Sequence, residues 1–278
     1  MVRLPCPSDL RRPSLWWLVA AGLLASSTAA WLMQEHGAEL LLPLPLPNAR
    51  PAPSPPAQAL WDSPLHRQCS GADPQMGQRL RALQRDYPTA LQKLQIDPSN
   101  YAERLSHDAF GNALSTRPSL VVLHETVFGL QSALHTFQNA NQRDEDQVSY
   151  HMLIGENGQA VEALDPGKRA YGAGYSAFAG EWVVTNPMLD GSVNNFALHV
   201  SLETPLDGED SAESHSGYSS AQYDTLAVVL ADWMKRFKIP ADRITTHRHV
   251  DLGQERADPR SFNWEALQER LAALGVLC

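Results

Sequence analysis

The sequence predicts a mixed α/β domain in which helices flank a central mixed β-sheet. Two apolar runs rich in β-branched residues, 119–127 and 196–204, are typical of buried strands. Residues 149–164 contain two short apolar runs joined by Glu156-Asn157-Gly158, which is the pattern of a hairpin. An amphipathic helix is predicted at 220–237. Strands that alternate with helices imply a sheet with helices packed against it.

Further elements surround this sheet. Apolar spacing predicts a helix over 76–94, interrupted by Pro88, and a short last helix over 264–274. Residues 207–220 are polar and predict a surface loop. The segment 243–250, "RITTHRHV", predicts one more strand.

Composition and charge restrict the classes of partner. The chain has 278 residues, of which 43% are hydrophobic and 19% charged, as in a globular protein. Its formal net charge is −9, and it contains no Lys/Arg-rich block or phosphate-binding glycine motif. Because nucleic-acid surfaces usually need a basic patch, we expect no nucleic acid among the partners. The sequence predicts no particular oligomeric state.

Residues 1–40 predict a short cytoplasmic stub and a membrane anchor. The stretch 14–33 is uncharged and mainly apolar, and twenty helical residues span about 30 Å, the thickness of a bilayer core. Three arginines before it and two glutamates after it orient the rest of the chain outward. The alternative is a cleavable signal peptide, because Ser27-Thr28-Ala29 resembles a cleavage site, and the domain would then be secreted. Both readings place it outside the cytoplasm, on the periplasmic or cell-wall face of the inner (cytoplasmic) membrane.

Residues 41–68 are dense in proline and predict a linker, an extended, semi-rigid tether. The remaining residues, 69–278, form the predicted domain, with Cys69 and Cys278 at its two ends. These cysteines are either unpaired surface thiols or, in an oxidising compartment, a disulfide. A disulfide requires that their Cα atoms lie within about 7 Å of each other.

Three residues are candidates for a metal site. His124 lies at the end of an apolar strand, and His247 ends another, after Ile244-Thr245-Thr246. Side chains at strand ends project into the crevice where an α/β sheet binds ligands. Asp258 follows shortly after. Two neutral imidazoles and one carboxylate leave a fourth zinc position open, as in catalytic zinc sites. The alternative is that these are ordinary polar side chains.

Four motifs in one order carry a resemblance to a known family. They are "LVVLHET", "VSYHMLIGENGQAVEALDPGKRAYGAG", "FALHVSLE" and "THRHVDLGQERADPRSFNW". Together they resemble the type-2 N-acetylmuramoyl-L-alanine amidases, which are zinc enzymes related to the peptidoglycan-recognition proteins. The resemblance covers about residues 101–270. It implies the fold of that family, a bound Zn²⁺, and hydrolysis of the amide between N-acetylmuramic acid and L-alanine in peptidoglycan or muropeptides.

The resemblance also implies roles for individual residues. It assigns the zinc ligands to His124, His247 and Asp258. Glu203 takes the place of the catalytic glutamate, which would carry the proton of the attacking water. Arg256 stands where the family has a lysine, and with Tyr150 it would stabilise the oxyanion.

The remaining histidines are weaker candidates for the metal site. If 243–250 is a strand, His247 and His249 share a face and either could reach the metal, but the motif favours His247. His151 is expected to support the site or fill the core. Gly172 stands where the family frequently has a histidine. No signal distinguishes four more histidines: His107, His135, His199 and His215.

Two other functions compete with hydrolysis. The first is a catalytically inactive peptidoglycan-binding module of the same fold. The second is an anchored structural protein that ties the membrane to the wall and binds no zinc.

Overall fold

Two parallel strands, β3 (Leu120–Glu125) and β7 (Ala197–Leu202), form the centre of the sheet in the computed structural model, which describes residues 42–278. Every residue of both strands is buried. Their register pairs His124 with Ser201. These strands confirm the two predicted from apolar runs.

The main sheet has six strands in the order β1-β5-β4-β7-β3-β8. The remaining four are β1 (Gln92–Lys93), β4 (Met152–Ile154), β5 (Ala160–Glu162) and β8 (Ile244–Thr246). Strands β4 and β5 are antiparallel and confirm the predicted hairpin, whereas the other neighbours are parallel. A second, two-stranded antiparallel sheet consists of β2 (Tyr101–Glu103) and β6 (Lys168–Ala170). The predicted mixed sheet is therefore confirmed.

Five α-helices occur within residues 42–278: α1 (Pro74–Ala90), α2 (Leu130–Gln138), α3 (Ser220–Phe237), α4 (His247–Val250) and α5 (Trp264–Ala273). Helix α3 has the predicted bounds and begins with a capping box formed by Ser219 and Gln222. Helix α1 includes Pro88 and ends at Ala90, before the predicted Leu94, because Gln92 and Lys93 adopt the extended backbone that pairs with β5. Helix α2 was not predicted.

The two faces of the sheet pack against different parts of the chain. One face packs against α3 and α5, with Leu123, Val200, Leu226 and Leu267 fully or almost fully buried. On the other face, Val122 packs against loop residues between β6 and β7. Because side chains alternate along a strand, His124 lies on this same face. Polar side chains on an otherwise buried strand thus face the side of the sheet that α3 and α5 leave free.

The segment 243–250 corrects one prediction. The strand β8 stops at Thr246, and His247 begins the short helix α4. The cause is local, since the Thr246 hydroxyl accepts a hydrogen bond from the backbone N–H of His249 at 3.2 Å and caps the turn. Residues two apart on a helix point in nearly opposite directions, so His247 and His249 do not share a face.

The proline-rich segment lies against the domain over part of its length. Its residue Pro53 accepts a hydrogen bond from the Trp182 indole at 2.8 Å, and the Trp61 indole donates to the carbonyl of Asp242 at 3.0 Å. The sequence predicted an extended, semi-rigid tether, and proline content alone does not reveal such contacts. The described part of 41–68 therefore belongs to the same compact unit as the domain.

Cys69 and Cys278 form a disulfide with Cα atoms 4.7 Å apart, which confirms the predicted pairing. It joins the start of the domain to the residues after α5. Within residues 42–278, no helix combines the length and the apolar character needed to cross a bilayer. The predicted anchor at 14–33 lies outside the described residues.

Candidate metal centre

The side chains of His124, His247 and Asp258 converge on one point. The Nδ1 atom of His124 lies 3.2 Å from Asp258 Oδ2, and the Nδ1 atom of His247 lies 3.0 Å from Asp258 Oδ1. One donor atom from each residue lies within 4.8 Å of the other two. Residues separated by 134 positions in the chain thus form one cluster of two nitrogens and a carboxylate.

The sheet and one backbone contact bring these residues together. Strands β3 and β8 are parallel neighbours that pair Leu123 with Thr246, so His124 and His247 follow at the same edge of the sheet. The backbone N–H of Arg248 donates to the carbonyl of Asp258 at 2.9 Å. This bond fixes the loop after α4 beside the helix that carries His247.

The protonation states of the cluster suit a metal. Burial lowers the pKa of His124 to about 4, although the neighbouring Asp258 opposes that shift. Burial alone would raise the pKa of Asp258, but hydrogen bonds from His124 and His247 outweigh it and hold that pKa well below its usual value. Metal ligands must be neutral imidazoles and ionised carboxylates, and the pKa values of His124 and Asp258 are both shifted in the direction that favours those forms.

The donor set fits zinc. Two imidazole nitrogens and a carboxylate are ligands of catalytic zinc sites that keep a fourth position open. His247 and Asp258 line a cavity of about 920 Å³, so an ion between them could be reached from that cavity. His124 is fully buried behind them, with Nδ1 directed at the cluster.

Tyr150 and Arg256 line the same cavity. The Tyr150 ring stacks on the His124 ring, with centroids 4.4 Å apart, and burial raises the pKa of its hydroxyl, which remains a donor. The Arg256 side chain is exposed, while its backbone N–H donates to Asp251 Oδ2 at 2.8 Å. The structure therefore places two hydrogen-bond donors predicted for an oxyanion beside two of the candidate ligands.

The carboxylate of Glu203 contacts the beginning of helix α2. This carboxylate accepts hydrogen bonds from the backbone N–H groups of Leu130, at 2.5 Å, and Glu156, at 2.8 Å. Leu130 is the first residue of α2, whose N-cap residue, Gly129, has no side chain to accept such a bond. Glu203 is not among the residues that line the cavity. These contacts favour a structural role, as the cap of α2, and give no support to proton transfer by Glu203.

His249 and His151 also lie outside the cluster. His249 packs on Trp61 of the proline-rich segment, with ring centroids 4.5 Å apart. His151 is buried, and its Nδ1 atom accepts a hydrogen bond from the backbone N–H of His199 at 3.0 Å. The structure thus brings together the three predicted ligands and neither alternative histidine.

Sequence reasoning missed His199. Its Nδ1 atom lies 2.9 Å from His124 Nε2, the nitrogen that faces away from Asp258. The signal was the two-residue period of the strand, because a histidine on a fully buried strand must face some polar partner. Its position next to β3 could not be known before the strand order.

A buried charge network beside His124 was also missed. Glu125 is 8% exposed and accepts hydrogen bonds from the Arg260 side chain, from the Tyr218 hydroxyl and from the backbone N–H of Arg260 at 2.9 Å. Its Oε2 atom lies 3.1 Å from His215 Nε2. The Arg260 guanidinium also donates to backbone carbonyls of the predicted loop 207–220, such as that of Ala212 at 2.7 Å. Glu125 and Arg260 therefore hold this loop, part of which lines the cavity, against the metal-binding edge.

Comparison with known proteins gives matches over the same region. A profile of the family described as N-acetylmuramoyl-L-alanine amidase matches residues 114–261, more than half of the chain. The 1,6-anhydro-N-acetylmuramyl-L-alanine amidase AmpD of Citrobacter freundii is 30% identical over 119 residues, which cover 42% of this chain and 54% of that protein. AmpD of Salmonella typhimurium (strain LT2) is 27% identical over 126 residues, covering 45% and 58%. The chain thus spans about half the length of the curated relatives it matches.

Two solved structures of AmpD are also similar. A crystal structure of a selenomethionine AmpD derivative has a TM-score of 0.47 at 24% identity, covering 63% of this chain and 92% of that chain. The solution structure of Citrobacter freundii AmpD has a TM-score of 0.42 at 21% identity, covering 66% and 91%.

Proposed function

This chain belongs to the N-acetylmuramoyl-L-alanine amidase family, and from that premise we propose that it is a zinc amidase of the bacterial cell wall. Its substrate would be the amide that joins N-acetylmuramic acid to L-alanine in peptidoglycan or in muropeptides released from it. One observation carries the proposal: the three candidate ligands converge at a cavity within the region that matches the family.

The zinc would be held by His124, His247 and Asp258. When bound, zinc activates water at neutral pH and polarises a carbonyl oxygen. The chain's own contribution begins with the cavity, which can admit a sugar–peptide segment next to two of the ligands. Water would add its oxygen to the amide carbon, and the carbonyl oxygen would become an oxyanion that preorganised donors stabilise. The C–N bond would then break, and the amine would leave with a proton that comes from the water.

Tyr150 and Arg256 are the proposed donors to that oxyanion. The Tyr150 hydroxyl stays protonated because burial raises its pKa, and its ring is fixed by stacking on His124. Arg256 would act through the hydrogen bonds that a guanidinium donates to an anion, since arginine cannot readily exchange a proton. Both residues line the cavity together with His247 and Asp258.

We also propose that the domain works outside the cytoplasm. The disulfide between Cys69 and Cys278 supports this, because disulfides persist in oxidising compartments and are rare in the cytosol. The proposal includes attachment to the inner membrane through residues 14–33, with secretion after signal cleavage as the alternative.

A second candidate function is peptidoglycan binding without hydrolysis. The observation that favours it is the position of Glu203, whose oxygens are taken up by two backbone N–H groups and do not line the cavity. Glu125, which follows His124 directly, is likewise engaged by Arg260, Tyr218 and His215. A binding module would keep the cavity and the metal and would release no product.

Mass spectrometry of purified peptidoglycan after incubation with the protein separates the two functions. A zinc amidase releases stem peptides with a free L-alanine amino terminus and leaves intact glycan chains. A binding module sediments with the peptidoglycan and releases nothing. The His124→Ala variant serves as control, because it should lose both zinc and hydrolysis if the proposal is right.

A further inference from the structure

The back of the candidate metal centre contains a third imidazole, in addition to those of His124 and His247. His199, on β7, is fully buried, and its Nδ1 atom lies 2.9 Å from His124 Nε2. His124 uses its other ring nitrogen, Nδ1, to face Asp258. The two nitrogens of His124 therefore have different partners, one in the cluster and one behind it.

We propose that His199 is a positioning residue: when zinc takes the place of the proton on His124 Nδ1, His199 accepts the proton that His124 then carries on Nε2, and so keeps Nδ1 of that ligand free for zinc. A histidine that binds a metal through Nδ1 carries its proton on Nε2, and that proton needs an acceptor when the ring is buried. The Nδ1 atom of His199 lies at hydrogen-bonding distance for this purpose. The inference rests on the proposed zinc site and names the residue that orients it.

The space for the His199 ring depends on a glycine. A Cβ atom at Gly172 would lie 2.4 Å from both Cγ and Nδ1 of His199, a distance that two such atoms do not adopt. Gly172 thus allows the ring to occupy the gap between β7 and the chain that follows β6. By contrast, a Cβ atom at Gly174 would meet nothing within 4 Å.

Hydrogen bonds of the His199 backbone also hold this residue in place. The backbone N–H of His199 donates to His151 Nδ1 at 3.0 Å, and the carbonyl of His199 accepts from the backbone N–H of His151 at 2.9 Å. The two imidazole rings lie nearly parallel, with an interplanar angle of 4°. These contacts fix the direction from which His199 approaches His124.

Stability alone is a poor reason for this arrangement. Among the described residues, His199 Nε2 is buried and has no hydrogen-bond partner. An unsatisfied buried polar atom is unfavourable for folding, so an apolar side chain would serve a purely structural role better. The retained imidazole is explained by the acceptor that it offers to His124.

The test uses four variants of the full chain and titration with Zn²⁺ against a chromophoric chelator. His199→Phe keeps a ring and removes the acceptor, whereas His199→Asn keeps an acceptor oxygen close to the place of Nδ1. Gly172→Ala displaces the ring without changing any histidine, and Gly174→Ala is its matched control. Circular dichroism of the zinc-free proteins checks that each variant is folded.

We expect His199→Phe and Gly172→Ala to bind zinc about 10–100-fold more weakly than the unmodified protein, the usual cost of losing such a support. His199→Asn should recover most of the affinity, and Gly174→Ala should match the unmodified protein. A second measurement follows the His124 Nε2–H proton by NMR in the zinc-loaded protein. Its downfield, hydrogen-bonded signal should be present in the unmodified protein and in His199→Asn, and absent in His199→Phe.

Two results would overturn the inference, and they are distinguishable. If the unmodified protein binds zinc and both His199→Phe and Gly172→Ala bind it equally tightly with the NMR signal unchanged, the positioning role is wrong and the zinc site stands. If the unmodified protein binds no zinc, the proposed function fails and the inference fails with it. Should His199→Phe not fold, Gly172→Ala decides between the first result and the expected one.

Discussion

The ends of the two central strands lie side by side, yet their charged and polar side chains meet different partners. At the end of β3, the buried ring of His124 faces another imidazole and the carboxylate of Asp258. Just after β7, the carboxylate of Glu203 faces two backbone N–H groups and caps a helix. Both positions are strand ends of an α/β sheet, where function is often found. The role of each side chain therefore depends on the atoms that surround it and not on its place along the strand.

The largest effect on zinc binding and hydrolysis is expected from the removal of a proposed metal ligand beside His124. We expect Asp258→Ala to lose zinc and hydrolysis, since it removes one of the three proposed protein ligands. The loss in zinc affinity should exceed the roughly 10–100-fold typical of losing a supporting hydrogen bond. Metal analysis and product release are measured on the same preparation, with the exposed Asp62→Ala as control. An Asp258→Ala protein that keeps one zinc per chain would remove Asp258 from the site.

The next-largest effect is expected from a substitution that slows turnover and leaves zinc bound. Arg256→Ala should retain zinc and slow turnover by on the order of 10²-fold, the usual effect of removing one oxyanion donor. Arg256→Lys keeps the positive charge and should retain most activity. Steady-state hydrolysis of a soluble muropeptide measures both variants. Equal rates for Arg256→Ala and the unmodified protein would mean that the guanidinium does not contact the reacting carbonyl.

A third prediction uses pH on the zinc-free protein. His124 has a folded pKa of about 4, against an unfolded value of about 6.5, so the unfolded chain binds the proton more tightly. The stability is fully present above pH 6.5 and is lost as the pH falls toward 4. At about 1.4 kcal/mol per pKa unit, this amounts to a loss on the order of 3 kcal/mol.

Urea unfolding of the zinc-free protein at pH 7.5, 6, 5 and 4 measures that loss. Burial and the nearby Arg104 also lower the pKa of His151, to about 3, so His151 adds a loss of the same sign. The His151→Gln variant should therefore show a shallower pH dependence, and the exposed His135→Gln variant should not. An unfolding free energy that stays constant between pH 7.5 and 5 would contradict the neutral, buried state of these rings.

The smallest effect is expected at the other strand end. Glu203→Ala removes the acceptor of two backbone N–H groups and should lower the free energy of unfolding by about 1–3 kcal/mol. Zinc affinity and turnover per folded molecule should stay close to those of the unmodified protein. Chemical denaturation and hydrolysis are compared for Glu203→Ala and Glu203→Gln. A turnover lowered by 10²–10⁴-fold at unchanged stability would restore Glu203 as a proton carrier.

The sequence predicted the sheet and the cluster for different reasons. Strands such as 119–127 and 196–204 could be predicted because short, apolar, β-branched runs are typical of buried strands. The convergence of His124, His247 and Asp258 was expected from a family resemblance, since residues so far apart in the chain carry no sign of contact. The disulfide followed from the placement of two cysteines at the domain ends.

The other features of the fold and of the site depended on contacts that no local sequence pattern encodes. A hydroxyl of Thr246 ends β8 early, and this turn separates His247 from His249. Glu203 was assigned to catalysis because its motif resembles one in the family, but α2, which it caps, was not predicted at all. His199 became visible once the strand order placed β7 next to β3. In each case a contact between distant elements decided the outcome.

Diffraction from crystals grown with Zn²⁺, recorded on both sides of the zinc absorption edge, tests the central claim most directly. We predict one anomalous peak per chain, about 2.0–2.2 Å from Nδ1 of His124, from Nδ1 of His247 and from a carboxylate oxygen of Asp258. No ligand should come from Glu203 or His249. A zinc-loaded crystal with no peak among these three residues, or with a peak bound through Glu203 or His249, would contradict the account.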